Sequence, residues 1–357
     1  MFKFKLIKSF GKTGHSFLAI GFGGIPIQRL EREKAVDLVR AAYYAGIKFF
    51  DTAQAYTTSE SIIGESLEEV RDEVFIATKS DARTRIGIRK HLRDSLKNLR
   101  CNYIDLYQLH MVNNIEEWEK IKAPEGALTF LREAQSNGVI NFIGITSHNP
   151  DLLCNILEEV QFDSIMIPYN YLATLPRERL LPYAKKLGIA TIAMKPLGGG
   201  AFTNAALSLK FLLRDEYIDM ILTGFERKEE IHENIKTAKS ELDIFEDEKK
   251  IMEKDRLILG NEYCRGCDYC QPCPNNIPIS FILRAYSQFV RRTGWTDWII
   301  DFTKNLSDID ELCINCGLCE TKCPYSLPIR SLIRKKSKEL YYKMQEYETS
   351  ILKKRSN

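Results

Sequence analysis

The sequence predicts an α/β fold: a closed (β/α)8 barrel with an N-terminal β-hairpin, followed by a small, mostly α-helical C-terminal domain. Two observations support this prediction. Short apolar segments alternate eight times with longer helix-like segments across residues 18–240, and eight of the ten cysteines lie within residues 264–323. Strands that alternate with helices of about ten or more residues form parallel sheets. Eight such units are the number that closes a barrel of the TIM type.

The individual elements follow from local composition. A Gly-Lys-Thr-Gly turn at residues 11–14 predicts a hairpin across residues 2–17. An open doubly wound sheet is the alternative to a barrel, but no Gly-x-Gly-x-x-Gly turn follows the first strand, where that fold binds a dinucleotide. We therefore favour the barrel. The predicted strands are residues 18–24, 47–50, 74–77, 104–107, 142–145, 164–167, 190–194 and 220–222, and the predicted helices are residues 32–45, 59–70, 88–99, 126–136, 150–160, 177–187, 205–214 and 228–240.

The chain is expected to divide into four parts. The barrel occupies residues 1–240, and the highly charged residues 241–260 form a linker helix. A cysteine-rich domain occupies residues 261–330, with a helix at residues 279–291. Residues 331–357 form a basic C-terminal helix or tail, helical over residues 335–353.

Charge and hydropathy exclude several classes of protein. The net charge of +3 is too small to indicate a nucleic-acid partner. No apolar run reaches the roughly 18 residues that a membrane span requires. The first residues alternate like a strand and lack the apolar stretch of a signal peptide. We expect a cytoplasmic protein with no nucleic-acid or membrane partner.

Four polar side chains stand at or just beyond the ends of consecutive strands. Asp51 and Tyr56 follow the second strand, Lys79 follows the third, and His110 follows the fourth. The carboxyl ends of barrel strands share one rim, which is where barrel enzymes place their active sites. An ammonium group near the Tyr56 phenol favours the phenolate and makes the phenol a better proton donor. These groups suit general acid–base catalysis on a carbonyl compound.

The segments around these residues resemble the signature sites of the aldo-keto reductase superfamily. They are Asp51-Thr52-Ala53-Gln54-Ala55-Tyr56, Ala77-Thr78-Lys79 and Tyr107-Gln108-Leu109-His110, and the resemblance extends over about residues 3–240. It implies that Tyr56 is the general acid, that Lys79 and Asp51 tune it, and that His110 orients the carbonyl. The implied substrate is a small carbonyl compound or alcohol.

The resemblance also implies NADPH or NADH as the cofactor, bound across the barrel mouth. The residues at the matching positions are Gly23, Gly24, Asp51, Thr146, Ser147, Met194, Lys195, Pro196, Leu197, Gly199, Thr223, Gly224, Phe225, Arg227, Glu233 and Asn234. Three positions depart from the family pattern, in which Asn, Gln and an aromatic residue hold the nicotinamide. Ser147, Met166 and Met194 stand there instead, and Glu230 stands where an Arg often meets the adenosine 2′-phosphate.

The eight clustered cysteines form two runs, each followed by proline. The runs are Cys264-x2-Cys267-x2-Cys270-x2-Cys273 and Cys313-x2-Cys316-x2-Cys319-x3-Cys323. The second run has the spacing of a bacterial-type [4Fe-4S] site, in which the last cysteine of each run ligates the other cluster. The predicted ligand sets are therefore Cys264, Cys267 and Cys270 with Cys323, and Cys313, Cys316 and Cys319 with Cys273. Zinc is the alternative, since Cys-x2-Cys pairs also build zinc ribbons.

The cysteine pattern resembles the ferredoxin-like extension carried by one branch of the aldo-keto reductases. The leading hypothesis is therefore an NAD(P)H-dependent oxidoreductase whose two [4Fe-4S] clusters connect it to electron transfer. A ferredoxin or flavoprotein is a possible redox partner. One alternative is an electron-transfer or sensor protein whose barrel serves as a docking platform. Another is that the clusters have a purely structural role.

Overall fold

Eight parallel strands form a closed barrel in the computed structural model, which describes residues 6–202, 204–290, 294–306 and 308–356. The strand order around the barrel is β10-β3-β4-β5-β6-β7-β8-β9, and β1 pairs with β2 in an antiparallel hairpin. This confirms the predicted fold class; residues 2–5 of the predicted hairpin lie outside the described residues. The strands are β1 (Ile7–Ser9), β2 (Ser16–Leu18), β3 (Ile20–Gly23), β4 (Phe49–Asp51), β5 (Phe75–Ser80), β6 (Ile104–Leu109), β7 (Ile140–Thr146), β8 (Ser164–Pro168), β9 (Ala190–Met194) and β10 (Met220–Gly224).

Helices follow the strands around the barrel, as the alternation predicts. They are α1 (Arg32–Tyr44), α2 (Ser59–Leu67), α3 (Arg85–Asn98), α4 (Ile115–Lys122), α5 (Ala127–Ser136), α6 (Pro150–Glu159), α7 (Leu180–Leu187), α8 (Ala205–Leu213) and α9 (Lys228–Lys239). The prediction missed α4, placing a long loop before residue 126. Asn114 caps this helix by accepting a hydrogen bond from the Glu117 amide at 2.8 Å. Trp118 and Ile121, three residues apart on one face, are fully buried.

The interior of the barrel is an aromatic and aliphatic layer. Side chains of a strand alternate between the barrel interior and the surrounding helices. Phe49 and Phe75 point inward, with ring centroids 5.1 Å apart, and Phe10 from the hairpin lies 5.3 Å from Phe49. Burying one such side chain stabilises the fold by about 1.5–3 kcal/mol. The same alternation points Asp51 and Lys79 inward, two and four residues beyond these phenylalanines.

The structure divides into two compact units, Met1–Lys249 and Lys250–Asn357. The helices after the barrel are α10 (Glu246–Leu259), α11 (Ile279–Arg284), α12 (Asp297–Lys304), α13 (Ile309–Leu312), α14 (Leu318–Thr321) and α15 (Ile329–Ser356), with a π-helical segment at Ala285–Val290. The predicted helix at residues 279–291 thus changes to a π-helix after Arg284, and Arg291 lies outside the described residues.

The C-terminal helix is longer than the sequence predicts. It starts at Ile329 instead of residue 335, because Ile329, Leu332 and Ile333 are buried in the core of the second unit. Leu340 lies in the same core, so α15 is an integral helix of this unit. Among the described residues, no helix combines the length and apolar character needed to cross a membrane.

Candidate active site and cysteine sets

A buried ion pair occupies the rim of the barrel at the ends of β4 and β5. The Lys79 ammonium donates to Asp51 Oδ1 at 2.5 Å and to the Thr52 carbonyl at 2.6 Å. Asp51 is 4% exposed and Lys79 is 2% exposed. Burial raises the pKa of the Asp51 carboxyl, and the charge of Lys79 and hydrogen bonds from Lys79 and Gln108 oppose this rise. The two hydrogen bonds of its ammonium hold Lys79 in one position at the barrel rim.

Tyr56 lies beside this ammonium group, and His110 lies beside Tyr56. The Lys79 Nζ atom is 5.2 Å from the centroid of the Tyr56 ring. The Tyr56 and His110 rings are 5.9 Å apart and nearly perpendicular, at 79°. Backbone hydrogen bonds fix this arrangement, because the Gln54 amide donates to the Lys79 carbonyl and the His110 amide donates to the Ser80 carbonyl. The structure therefore brings the four predicted side chains together.

Gln108 is a site residue that the sequence analysis did not single out. Its Nε2 atom donates to Asp51 Oδ2 at 3.1 Å, and its side chain is fully buried. Gln108 lies opposite Lys79 in the register of β5 and β6. The signal was available in the alternation of β6, because Gln108 lies between two other inward positions, Leu106 and His110. Gln108 completes the hydrogen bonding of Asp51.

We expect Gln108→Leu to destabilise the barrel by about 1–3 kcal/mol, because Asp51 Oδ2 would become a buried acceptor without its amide donor. Urea denaturation would measure this change. Ser164→Ala is the matched control, since the Ser164 hydroxyl is buried but has no hydrogen-bond partner among the described residues. A Gln108→Leu protein as stable as the Ser164→Ala protein would contradict this role of the amide.

The loop after β7 uses its predicted cofactor residues for its own structure. The Thr146 hydroxyl accepts from the Met111 amide at 2.8 Å. The Ser147 hydroxyl donates to Asn113 Oδ1 at 3.2 Å and accepts from the Asn149 amide at 2.9 Å. Both side chains are at most 1% exposed. Their hydroxyls thus stabilise the loop that starts α6.

The other two residues that depart from the family pattern are methionines. Met166 is 2% exposed and belongs to the hydrophobic interior of the barrel, while Met194, the last residue of β9, packs against that layer. Neither thioether can provide the amide hydrogen bonds that hold a carboxamide. Met166 thus lacks the amide of the glutamine expected at its position, and Met194 lacks the flat face of the expected aromatic ring.

The loop after β9 has a left-handed backbone at four positions. Lys195, Gly198, Gly199 and Gly200 all have positive φ, between 55° and 90°. Glycine adopts such angles without strain, and here the Gly198 and Gly200 amides donate to the Lys195 and Leu197 carbonyls within the loop. Asn170, which the sequence analysis did not single out, donates from its side chain to the Lys195 carbonyl at 2.9 Å. This segment also contains Pro196 and Leu197. The Pro196 carbonyl accepts a hydrogen bond from the Ser208 hydroxyl.

The ends of β3 and β10 approach each other at two glycines. Gly23 pairs with Gly224, and a Cβ atom on Gly24 would lie 2.5 Å from the Ser59 hydroxyl oxygen. Only glycine fits so close to a neighbouring side chain. Thr223 directs its hydroxyl to the Gly21 carbonyl at 3.3 Å. Phe225 is fully buried, and its ring packs against Phe22 in the hydrophobic core.

The side-chain carboxylate of Glu230 binds the backbone amides at the start of α9. Glu230 accepts hydrogen bonds from the Glu226 amide at 2.8 Å and the Arg227 amide at 3.3 Å. It also accepts from Arg227 Nε at 3.1 Å. A second nearby cation, Lys228, pairs with Asp37. Further along α9, Asn234 is buried and Glu233 is exposed.

The first predicted cysteine set lies in a largely buried turn. Cys267 and Cys270 are each 9% exposed. Burial raises the pKa of the Cys267 thiol to about 12, and the nearby Cys264 and Cys323 add to this rise. The same two cysteines contribute to the raised pKa of Cys270, where burial is again the largest cause. The structure thus places Cys323, from the second run, beside the first run.

The second predicted set lines one small cavity. The cavity wall contains Cys273, Cys313, Cys316 and Cys319, together with Cys270. Cys316 is exposed, in contrast to the first set. Among the described residues, no group of three or more His, Cys, Asp or Glu side chains is placed to hold a metal ion. Cys273, from the first run, thus lies with the second run, just as Cys323 lies near the first, which is the exchange of last cysteines that the sequence predicts.

Comparisons with known proteins also separate the barrel from the cysteine-rich unit. The aldo/keto reductase family model matches residues 18–206, and a 4Fe-4S dicluster domain model matches residues 263–328. The chain is 26% identical over 285 residues to YqkF, an uncharacterized oxidoreductase of Bacillus subtilis, covering 64% of this chain and 90% of the relative. It is 25% identical over 304 residues to L-galactose dehydrogenase of Arabidopsis thaliana, covering 71% and 94% of the two chains.

The solved structures agree with the fold. An aldo/keto reductase from Klebsiella pneumoniae in complex with NADP and acetate matches with a TM-score of 0.60 at 19% sequence identity, over 71% of this chain and 95% of that chain. The barrel, the match to more than half of the sequence and the cysteine-rich second unit lead to one assignment. This chain belongs to the aldo/keto reductase family and has a 4Fe-4S domain after its barrel.

Proposed function

We propose that the protein reduces a small carbonyl compound, or oxidises the corresponding alcohol, with Tyr56 as the general acid or base. The observation that carries the proposal is the position of Lys79. Its ammonium is locked against buried Asp51 and lies 5.2 Å from the Tyr56 ring. A fixed positive charge beside a phenol favours loss of the phenolic proton. That is the property required of a group that protonates a developing alkoxide.

Each of the four side chains has a distinct task. Lys79 provides the positive charge, and Asp51 holds Lys79 in place. Tyr56 donates its proton to the substrate oxygen during reduction and accepts it back during oxidation. His110 lies next to the Tyr56 ring, and its proposed task is to donate a hydrogen bond to the same oxygen. Because the site is buried at the barrel rim, these interactions are stronger than they would be in water.

The cofactor we propose is a nicotinamide dinucleotide. The glycine-containing loop from Lys195 to Gly200 would lie beside the pyrophosphate, and the glycine ends of β3 and β10 would allow its close approach. When bound, the reduced nicotinamide supplies the hydride. Glu230 supports NADH over NADPH, because its carboxylate occupies the first turn of α9, where a 2′-phosphate would otherwise bind the backbone amides.

We expect Glu230→Gln to raise the ratio of kcat/KM for NADPH to that for NADH by about three- to tenfold. The change removes a charge that repels the 2′-phosphate, and an exposed charge contributes about 1 kcal/mol. Steady-state kinetics with both cofactors would measure it. Glu229→Gln is the control, since Glu229 is exposed in the same turn of α9. An equal change in both variants would show that general charge, not the position of Glu230, is responsible.

The second unit is proposed to hold two [4Fe-4S] clusters that link the enzyme to electron transfer. The crossed arrangement of the cysteine runs supports two clusters, and the exposure of Cys316 supports electron exchange with a separate redox protein. This exposure also favours the second candidate function, an electron-transfer protein whose barrel has little turnover. A purely structural role would leave the clusters without redox response to cofactor or substrate.

The test combines two measurements on anaerobically purified protein. Iron and sulfide analysis is expected to give two [4Fe-4S] clusters per chain. Nicotinamide oxidation is then measured with a panel of aldehydes and ketones. Turnover with at least one carbonyl compound is the expected result. Cluster reduction by a redox protein, without turnover of any carbonyl compound or alcohol, would instead support the electron-transfer function.

A further inference from the structure

Two buried arginines border the turn of the first cysteine set, Cys264, Cys267, Cys270 and Cys323. Arg265 is 7% exposed and Arg284 is 8% exposed. Arginine is rarely buried so completely unless negative charge compensates it. The two side chains therefore place positive charge beside these four cysteines.

Arg265 is held tightly within the turn itself. Its Nη1 atom donates to the Tyr263 carbonyl at 2.6 Å and to the Gly260 carbonyl at 3.2 Å. Its guanidinium carbon lies 4.1 Å from the centroid of the Tyr325 ring. Burial lowers the pKa of Arg265, and the nearby Tyr325, Tyr263, Cys264 and Cys323 oppose that change. The cation thus lies within the electrostatic field of the predicted ligands from both runs.

Arg284 reaches the same turn from α11. Its Nε atom donates to the Ser280 carbonyl at 3.0 Å. Its guanidinium packs on the backbone of Gly266, where a Cβ atom would lie only 2.5 Å from the Arg284 Cζ atom. Gly266 separates Arg265 from Cys267 in the sequence, so both cations adjoin the same short segment.

The second cysteine set is different. Arg330 lines its cavity, but this arginine is paired with Glu320, with Nη2 and Nε at 2.7 and 3.0 Å from Oε2. The Glu320 carboxylate neutralises its charge. Cys316 of this set is also exposed to water. The first set is therefore buried beside two cations and one carboxylate, Asp268, whose charge acts on Cys267 and Cys270. The second set is partly solvated beside an ion pair.

This difference affects reduction. Adding an electron to an iron–sulfur cluster adds one negative charge to its iron atoms, with no bond made or broken. Burial opposes that change, since a low-dielectric environment disfavours charge, while a nearby cation favours it. Net charge, hydrogen bonding and exposure are the factors that set cluster potentials. Without a compensating cation, a cluster at the buried set would be difficult to reduce.

We propose that Arg265, assisted by Arg284, raises the reduction potential of the cluster bound by Cys264, Cys267, Cys270 and Cys323, so that this buried cluster remains reducible. The two arginines are positioning and charge-supplying residues and are not ligands. The proposal rests on the iron–sulfur assignment under Proposed function, and it concerns a property that the assignment alone does not require.

The test is an anaerobic redox titration of the full-length protein with dithionite and mediators, followed by EPR. Wild type is compared with Arg265→Gln, which removes the charge, and with Arg265→Lys, which keeps it. Arg330→Gln is the matched control at the other cysteine set. Iron and sulfide contents are measured first for every protein.

In Arg265→Gln, one of the two titration waves is expected to move to more negative potential while the other stays in place. Arg265→Lys should retain most of the wild-type position, and Arg330→Gln should leave the Arg265-sensitive wave unmoved. Unchanged waves in an Arg265→Gln protein with full iron content would overturn the proposal, as would an equal shift in Arg265→Lys. If Arg265→Gln lost iron, Arg284→Gln must produce the negative shift. Wild-type protein without iron would instead refute the cluster assignment itself.

Discussion

Tyr56→Phe is expected to lower kcat for carbonyl reduction by about 10²–10⁴-fold, the usual contribution of a positioned general acid. The change removes one oxygen atom and leaves the ring that contacts His110 and Lys79. Substrate and cofactor binding should therefore change little, so that kcat falls much more than KM changes. Steady-state kinetics with the best substrate of the carbonyl panel would measure both constants.

Tyr43→Phe is the matched control for this prediction. The Tyr43 hydroxyl donates to Glu73 at 2.5 Å on the exposed surface of the barrel, outside the proposed site. Its loss should leave kcat unchanged. A Tyr56→Phe protein that retained more than about a tenth of wild-type kcat would exclude the phenol as the main proton donor.

Lys79→Met is expected to have the second large effect, on stability as well as on rate. It leaves the Asp51 carboxylate buried without its cation, and breaking a buried pair in this way costs about 3–5 kcal/mol. The rate should fall with it, because Tyr56 loses the positive charge that favours its phenolate. Urea denaturation followed by circular dichroism would measure the free energy of unfolding.

The double variant Asp51→Asn/Lys79→Met separates these two effects. It removes both charges, so much of the lost stability should return, while activity should remain low. Non-additive stability changes are expected of residues in direct contact. If the two single changes were additive in stability, Asp51 and Lys79 would not be coupled in solution.

The four rim side chains could be predicted because barrel topology determines where strand ends meet. The sequence separates Asp51 from Lys79 by 28 residues, and the parallel pairing of β4 with β5 brings them to 2.5 Å. The predicted second strand stopped at residue 50, whereas β4 extends to Asp51. The strand includes Asp51 because the Asp51 carbonyl accepts a hydrogen bond from the Gly24 amide at 2.7 Å. This bond continues the pairing of β4 with β3.

Features that depend on tertiary contacts were harder to predict. The alternation of β6 points Gln108 inward, but its role depends on a carboxylate 57 residues away in the sequence. The length of α15 depends on apolar residues near Ile329 that pack in the second unit. Helix α4 is different, because the cap at Asn114 and the spacing of its apolar residues were readable.

The cofactor contacts were the least predictable part. The resemblance identifies positions, but the use of each side chain depends on its neighbours. Ser147 satisfies its hydroxyl within its own loop, and Phe225 is buried in the core. Glu230 binds the backbone amides at the start of α9. These local contacts bear on the proposed cofactor site, and they follow from the three-dimensional structure.

The central claim is that the barrel transfers a hydride from a nicotinamide to a carbonyl carbon while Tyr56 supplies the proton. The most direct measurement compares two samples of NADH, each deuterated on one face of C4. Each sample reacts with a carbonyl substrate in ordinary water. We expect one of the two labelled cofactors to leave deuterium at the carbinol carbon of the alcohol product. Mass spectrometry and NMR would detect this label. Alcohol product without deuterium from either cofactor would contradict direct hydride transfer and would point to electrons delivered through the clusters.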